Sequence, residues 1–173
     1  VMKEGRVMNK SIAYFITALV AVIPFTEATA AEVEVKWSNT EKYSDIDAGE
    51  EHRKHFKDRT FKAFEKHFTK MAESLPAQQK LVLDITNLDL AGDVNHGGIK
   101  RIRVVKNIFF PRMEFSYQLL SADNSVVKSA EISLKDMGFL SHSNLRYRNK
   151  ALGYEKEMFD DWFKKAFANE LIK

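Results

Sequence analysis

Lys80-Leu81-Val82-Leu83-Asp84-Ile85-Thr86-Asn87-Leu88-Asp89-Leu90 decides the fold. Leu81, Leu83 and Ile85 alternate with Val82, Asp84 and Thr86, the two-residue period of a strand with one buried face. Leu88 and Leu90 share a face that is out of phase with Ile85. The pattern therefore requires either a bulge near Thr86-Asn87 or the end of the strand.

Towards the amino terminus, Leu75-Pro76 closes a helix, because proline disfavours the helical conformation in the residue before it. In that helix Phe56, Thr60, Ala63, Phe64, His67, Phe68, Met71 and Leu75 recur at intervals of three and four, and Phe61 and Ala72 widen the stripe into a core face. Asp47, with Glu50 three residues on, reads as a capping box that opens it. Before a polar, turn-rich stretch, Glu32 to Trp37 alternates again, with Val33, Val35 and Trp37 inward.

Towards the carboxyl terminus, Asp93 to Gly98 has the composition of a loop. Ile99 to Lys106 is expected to be a short extended segment with Ile102 and Val104 inward. After Pro111, Met113, Phe115, Tyr117 and Leu119 share one face of a strand. A polar turn at Ala122 to Ser125 then leads into Val126 to Leu134, completing a β-hairpin. Asp136 to Lys150 is irregular and polar. A second amphipathic helix is expected over Leu152 to Leu171, burying Tyr154, Met158, Phe159, Trp162, Phe163, Ala166 and Phe167. This order predicts an α+β two-layer sandwich, a mostly antiparallel sheet of about four or five strands with two amphipathic helices on one face.

The first thirty residues read differently. Met8-Asn9-Lys10 forms a basic n-region, Ile12 to Ile23 an apolar run closed by Pro24, and Ala28-Thr29-Ala30 a small-residue cleavage site. Together they predict a signal peptide cut before Ala31, and a periplasmic protein. The apolar run is short of the roughly 20 residues that cross a bilayer, so no membrane span is expected after cleavage. Val1 to Val7 read as an extension upstream of a start at Met8. Residues 31–173 are expected to form a single soluble domain, with no Gly/Pro/Ser-rich linker dividing them. The chain contains no cysteine, which excludes disulfides, thiolate metal sites and a lipid-modified cysteine anchor. A net charge of +3 is too small to argue for a nucleic-acid partner.

Several short motifs occur together: Leu75-Pro76 before Lys80-Leu81, Asp89-Leu90-Ala91-Gly92, Pro111-Arg112 with Tyr117, Asp136-Met137, and Asp161-Trp162-Phe163. In this combination the chain resembles the exported proteobacterial family called domain of unknown function 3016, across nearly all of the sequence after the signal. The resemblance implies export and a single domain. It names no reaction and carries over no catalytic residue.

Lys100, Arg101, Arg103 and Lys106 run into Phe109-Phe110-Pro111-Arg112. Alternation would turn Arg101 and Arg103 outward beside two aromatics. Such a surface suits phosphate head groups next to acyl chains, or an acidic periplasmic protein. A charged strand face that protects a sheet edge is the other reading. Arg146, Arg148 and Lys150 would extend the basic surface if the fold brought them near.

Asp84, Asp89 and Asp93, with His96, are the acidic group on which a metal-dependent or hydrolytic enzyme could be built, although their spacing matches no calcium loop. His52 and His55 have a spacing that suits one metal, but Arg53, Lys54 and Lys57 repel a cation. Ser141-His142-Ser143 lacks a nucleophile elbow. No cofactor is indicated. Three functions follow: an envelope binding or accessory module using Arg101, Arg103, Lys106, Phe109, Phe110 and Arg112; an enzyme centred on the aspartates; or a scaffold without a ligand.

Overall fold

A computed structural model describes residues 30–141, 145–147 and 149–172. All of the expected signal peptide except its last residue, Ala30, lies outside the described residues, as do His142, Ser143 and Arg148.

β1 (Glu32–Trp37) passes through α1 (Arg53–Ala72) into β2 (Lys80–Asp89). Two short strands follow, β3 (Asp93–Val94) and β4 (Arg103–Val104), then the hairpin of β5 (Arg112–Leu120) and β6 (Val126–Lys135), and finally α2 (Gly153–Ala166). The main sheet has four strands in the order β1-β2-β5-β6, and β3 and β4 form a separate two-stranded ribbon. β1 runs parallel to β2 with a helix between them, while the other two pairings of the main sheet are antiparallel. The fold is thus the expected α+β sandwich.

The slip in alternation is a bulge. Ile85 pairs with Phe115 and Asn87 with Glu114, leaving Thr86 as the extra residue. Leu81, Leu83, Ile85 and Leu88 all reach the core, where each is at most 1% exposed.

Both helices pack into one core with the sheet. Trp37 stacks on Phe61 of α1 at 4.2 Å and donates its indole N–H to Glu65 at 2.9 Å, so β1 and α1 are joined by an apolar and a polar contact. Phe159 of α2 lies 4.4 Å from Phe68 and 5.2 Å from Phe115, so one ring meets the other helix and the sheet. The opposite face of the sheet is polar, with Lys36 paired to Asp84 at 3.2 Å. Among the described residues no helix is long and apolar enough to cross a membrane.

Three local expectations are corrected. Asp47 and Glu50 do not cap α1: the Asp47 carboxylate accepts the Gly49 N–H at 2.8 Å, Gly49 takes φ 61°, and the helix begins only after His52. A side chain held in this turn is not available to the first helical amides. Ile99 to Lys106 is extended only at Arg103–Val104, and Ile102 is 56% exposed rather than inward. α2 is shorter than its apolar stripe, ending at Ala166, although Phe167 just beyond it is fully buried.

Candidate functional site

At the carboxyl ends of β1 and β2, the loop between Ser38 and His52 runs beside the segment that links β2 to β5. Asp45 continues the parallel pairing: its N–H donates to Leu88, and its carbonyl accepts from Leu90. This sets the Asp45 carboxylate against Arg103 of β4. The guanidinium donates to Oδ2 at 2.7 Å and Oδ1 at 3.0 Å, a forked pair. It also donates to the carbonyls of Gly92 at 2.8 Å and Asp47 at 3.1 Å. Arg103 is therefore not outward, as alternation suggested. Its side chain is 20% exposed and ties three loop segments together.

Gly92 makes that approach possible. It has φ 85°, and a Cβ there would stand 2.8 Å from the carbonyl oxygen of Val104. Nearby, Asp89 and Arg112 are cross-strand partners on the open face, 3.7 Å apart, and the Arg112 guanidinium lies 4.4 Å from the Phe110 ring centroid. Burial raises the pKa of Asp89, Arg112 opposes that, and the charge of Asp45 adds to the rise. Arg101 and His96 both face Asp47, at 3.3 and 3.6 Å.

Asp45, Asp47, Asp89, Arg101 and Arg112 wall a groove of about 700 Å³. Its charged lining is Glu41, Asp45, Asp47, Glu51, Asp89 and Asp93 against Arg53, Arg101 and Arg112, so carboxylates outnumber cations. The floor of the groove is therefore a poor receptor for an anion. Phe109 and Phe110 are half-buried in its wall.

The crest beside the groove has a different character. Ile99, Ile102, Val105 and Ile108 recur every third residue and are 103%, 56%, 41% and 71% exposed. Lys100, Arg101 and Lys106 stand among them. Isolated exposed aliphatics are common on protein surfaces, but here four lie within one ten-residue segment that also carries three exposed cations.

Of the expected acidic group, Asp89 and Asp93 lie at this end of the sheet, whereas Asp84 sits before the bulge and pairs with Lys36. No group of three or more His, Asp or Glu side chains is placed to hold a metal ion among the described residues. His52 and His55 lie edge to face at 5.2 Å near the start of α1.

Sequence reasoning missed Asp45 as the partner of Arg103, 58 residues away. It also missed a buried trio: His67 of α1 and Tyr147 both donate to Asp160 of α2. His67 and Asp160 are 93 residues apart, and no local pattern marks such a pair.

Fold and site together define a small α+β sandwich with a charged groove and an amphipathic crest at one end of its sheet. The chain belongs to a family of proteins of unknown function, DUF3016, whose family model matches residues 31–165. No curated protein and no solved structure matches it.

Proposed function

We propose that this protein is a non-enzymatic accessory module of the cell envelope that settles on anionic lipid through the crest between His96 and Arg112. The observation that carries the reading is the exposure of Ile99, Ile102, Val105 and Ile108 on the loop that bears Lys100, Arg101 and Lys106. An isoleucine moved from water into an apolar layer gains about 1.5–3 kcal/mol. A basic residue near an anionic surface adds about 1 kcal/mol. Apolar tips flanked by cations match the boundary between acyl chains and phosphate head groups. Arg103 serves this surface from behind, holding the ribbon against Asp45.

The groove beside the crest is the weaker anion receptor, because carboxylates predominate in it. Export to the periplasm, supported by the n-region, apolar run and Ala28-Thr29-Ala30 of the sequence, would bring the crest to the envelope. Intact mass of the exported protein, with cleavage before Ala31, tests that part.

Co-sedimentation with phosphatidylglycerol-containing and pure phosphatidylcholine vesicles tests the rest. Binding is expected only to the anionic vesicles and to weaken with salt. Exchanging Lys100, Arg101 and Lys106 together for glutamine should lower partitioning by about a hundredfold. Ile99→Ser with Ile102→Ser and Ile108→Ser should lower it at least as much. Unchanged vesicle binding in both variants would overturn the reading. So would retention on an acidic polypeptide with no vesicle binding, which would assign the crest to a protein partner.

A further inference from the structure

On the other side of the segment Asp47 to Gly49 lies a second cavity, of about 360 Å³, which the lipid-facing crest does not require. It opens between α1, the ribbon and the start of α2. Phe56, Ala63, Leu90, Val94, Val105 and Leu152 line it. Its size falls within the roughly 300–1,000 Å³ of small-molecule sites, and like them it is mainly apolar with a few polar groups. Phe56, Ala63, Val105 and Leu152 are not fully buried, so the cavity leaves apolar surface uncovered.

The wall at residues 149–153 is held in an unusual shape. Asn149 and Leu152 have φ 66° and 56°, a left-handed conformation rare for a bulky residue such as leucine. Gly153 follows, where any Cβ would run into the Tyr147 carbonyl. The constrained backbone fixes the side of the cavity from which Lys150 projects.

The polar groups are arranged unequally. Arg59 is taken up by Glu51, and Arg103 by Asp45. Lys150, exposed at the rim, makes no ion pair among the described residues. The neighbouring Lys156 donates to the Ala151 carbonyl at 3.0 Å. Burial lowers the pKa of Lys156; the charge of Glu155 opposes that fall and the charge of Lys150 adds to it. Glu155 faces the cavity, but one of its oxygens is engaged by the Ala91 N–H at 2.7 Å.

We infer that this cavity binds a free fatty acid, with its acyl chain among Phe56, Ala63, Leu90 and Leu152 and its carboxylate at Lys150. The inference goes beyond lipid-surface binding. Val105 belongs to both the crest and the cavity wall, so a chain leaving a lipid surface would enter beside the crest.

Calorimetric titration of the mature chain with dodecanoate, in the absence of vesicles, tests the inference. Saturation at one ligand per chain is expected. Ala63→Trp fills the cavity from α1 and should weaken dodecanoate at least twentyfold while leaving vesicle co-sedimentation unchanged. Lys150→Glu should weaken dodecanoate about tenfold and leave dodecanol unaffected. A spin-labelled dodecanoate read by NMR on the unaltered protein should broaden the methyl signals of Leu90, Val94 and Leu152.

Broadening confined to Ile99, Ile102 and Ile108 would overturn the cavity assignment even if Ala63→Trp failed to fold. Full dodecanoate affinity in a folded Ala63→Trp protein would also overturn it. Vesicle binding without any dodecanoate binding overturns this inference alone, and dodecanoate binding without vesicle binding overturns the lipid-surface reading alone.

Discussion

His67 on α1 donates its Nε2–H to Oδ1 of Asp160 on α2 at 2.7 Å, while the Tyr147 hydroxyl donates to the other oxygen of the same carboxylate. The side chains of His67 and Asp160 are 14% and 6% exposed and Tyr147 is 7% exposed, so water replaces neither donor easily. A buried carboxylate that loses one charge-assisted hydrogen bond is destabilised by about 1.5–3 kcal/mol. Tyr147→Phe should fall in that range, and His67→Leu at its upper end. His67→Gln, which retains an N–H donor, should lose less than His67→Leu. Urea denaturation midpoints measure all three, and equal midpoints for the glutamine and leucine variants would show that the hydrogen bond contributes nothing.

Asp45 and Arg103 should behave as one unit. Lysine at position 103 keeps the charge but cannot hold both Asp45 oxygens and the carbonyls of Gly92 and Asp47. Arg103→Lys is expected to cost about 2 kcal/mol. A double-mutant cycle of Arg103→Met with Asp45→Asn should give a coupling of about 2 kcal/mol, whereas independent sites would add to within about 0.5 kcal/mol. Thermal or urea unfolding of the four proteins decides between the two.

The sheet and both helices were legible because each buries one face continuously, so the periods of Leu81 to Ile85, Met113 to Leu119 and Phe159 to Phe167 survive in sequence. The ribbon was not legible. Val94 is buried while Ile99 and Ile102 are exposed, because this short segment is placed by Arg103 and Gly92 rather than by an apolar stripe. Phe139, 1% exposed and edge-on to Tyr154 at 4.7 Å, anchors a stretch whose polar composition reads as loop. Of the candidate site, the basic and aromatic residues could be found in sequence. Their carboxylate partners Asp45 and Asp47, 58 and 54 residues from Arg103 and Arg101, could not.

The bulge makes a prediction of its own. Deleting Thr86 would place Asn87 directly after Ile85, so that Leu88 would keep its inward face and Asn87 its pairing with Glu114. The deletion should leave a folded protein within about 1 kcal/mol of the original, because alternation would then be uninterrupted. Deleting Asp84 would instead keep Leu81, Leu83 and Leu88 inward only by turning Ile85 outward and Thr86 inward, and should cost about 2–5 kcal/mol. Near-ultraviolet circular dichroism and urea unfolding separate the two outcomes. Equal damage from both deletions would mean that the bulge supplies a twist the sheet needs.

Glu155 links stability to pH. It is 3% exposed; burial raises its pKa above the ordinary 4.5, and the Ala91 N–H and the charge of Arg103 only partly oppose that rise. The folded state therefore holds the proton of Glu155 more tightly than the unfolded chain does. The resulting stabilisation is fully present below about pH 4.5 and is lost as the pH rises through the higher folded value. Glutamine keeps an oxygen for the Ala91 N–H and has no charge to desolvate. Glu155→Gln should therefore gain on the original protein as the pH is raised from about 4 to about 8, most steeply just above the ordinary glutamate range. Urea midpoints of both proteins across that interval provide the measurement. A difference that stays constant with pH would show that the carboxyl of Glu155 ionises in the folded protein as readily as in the unfolded chain.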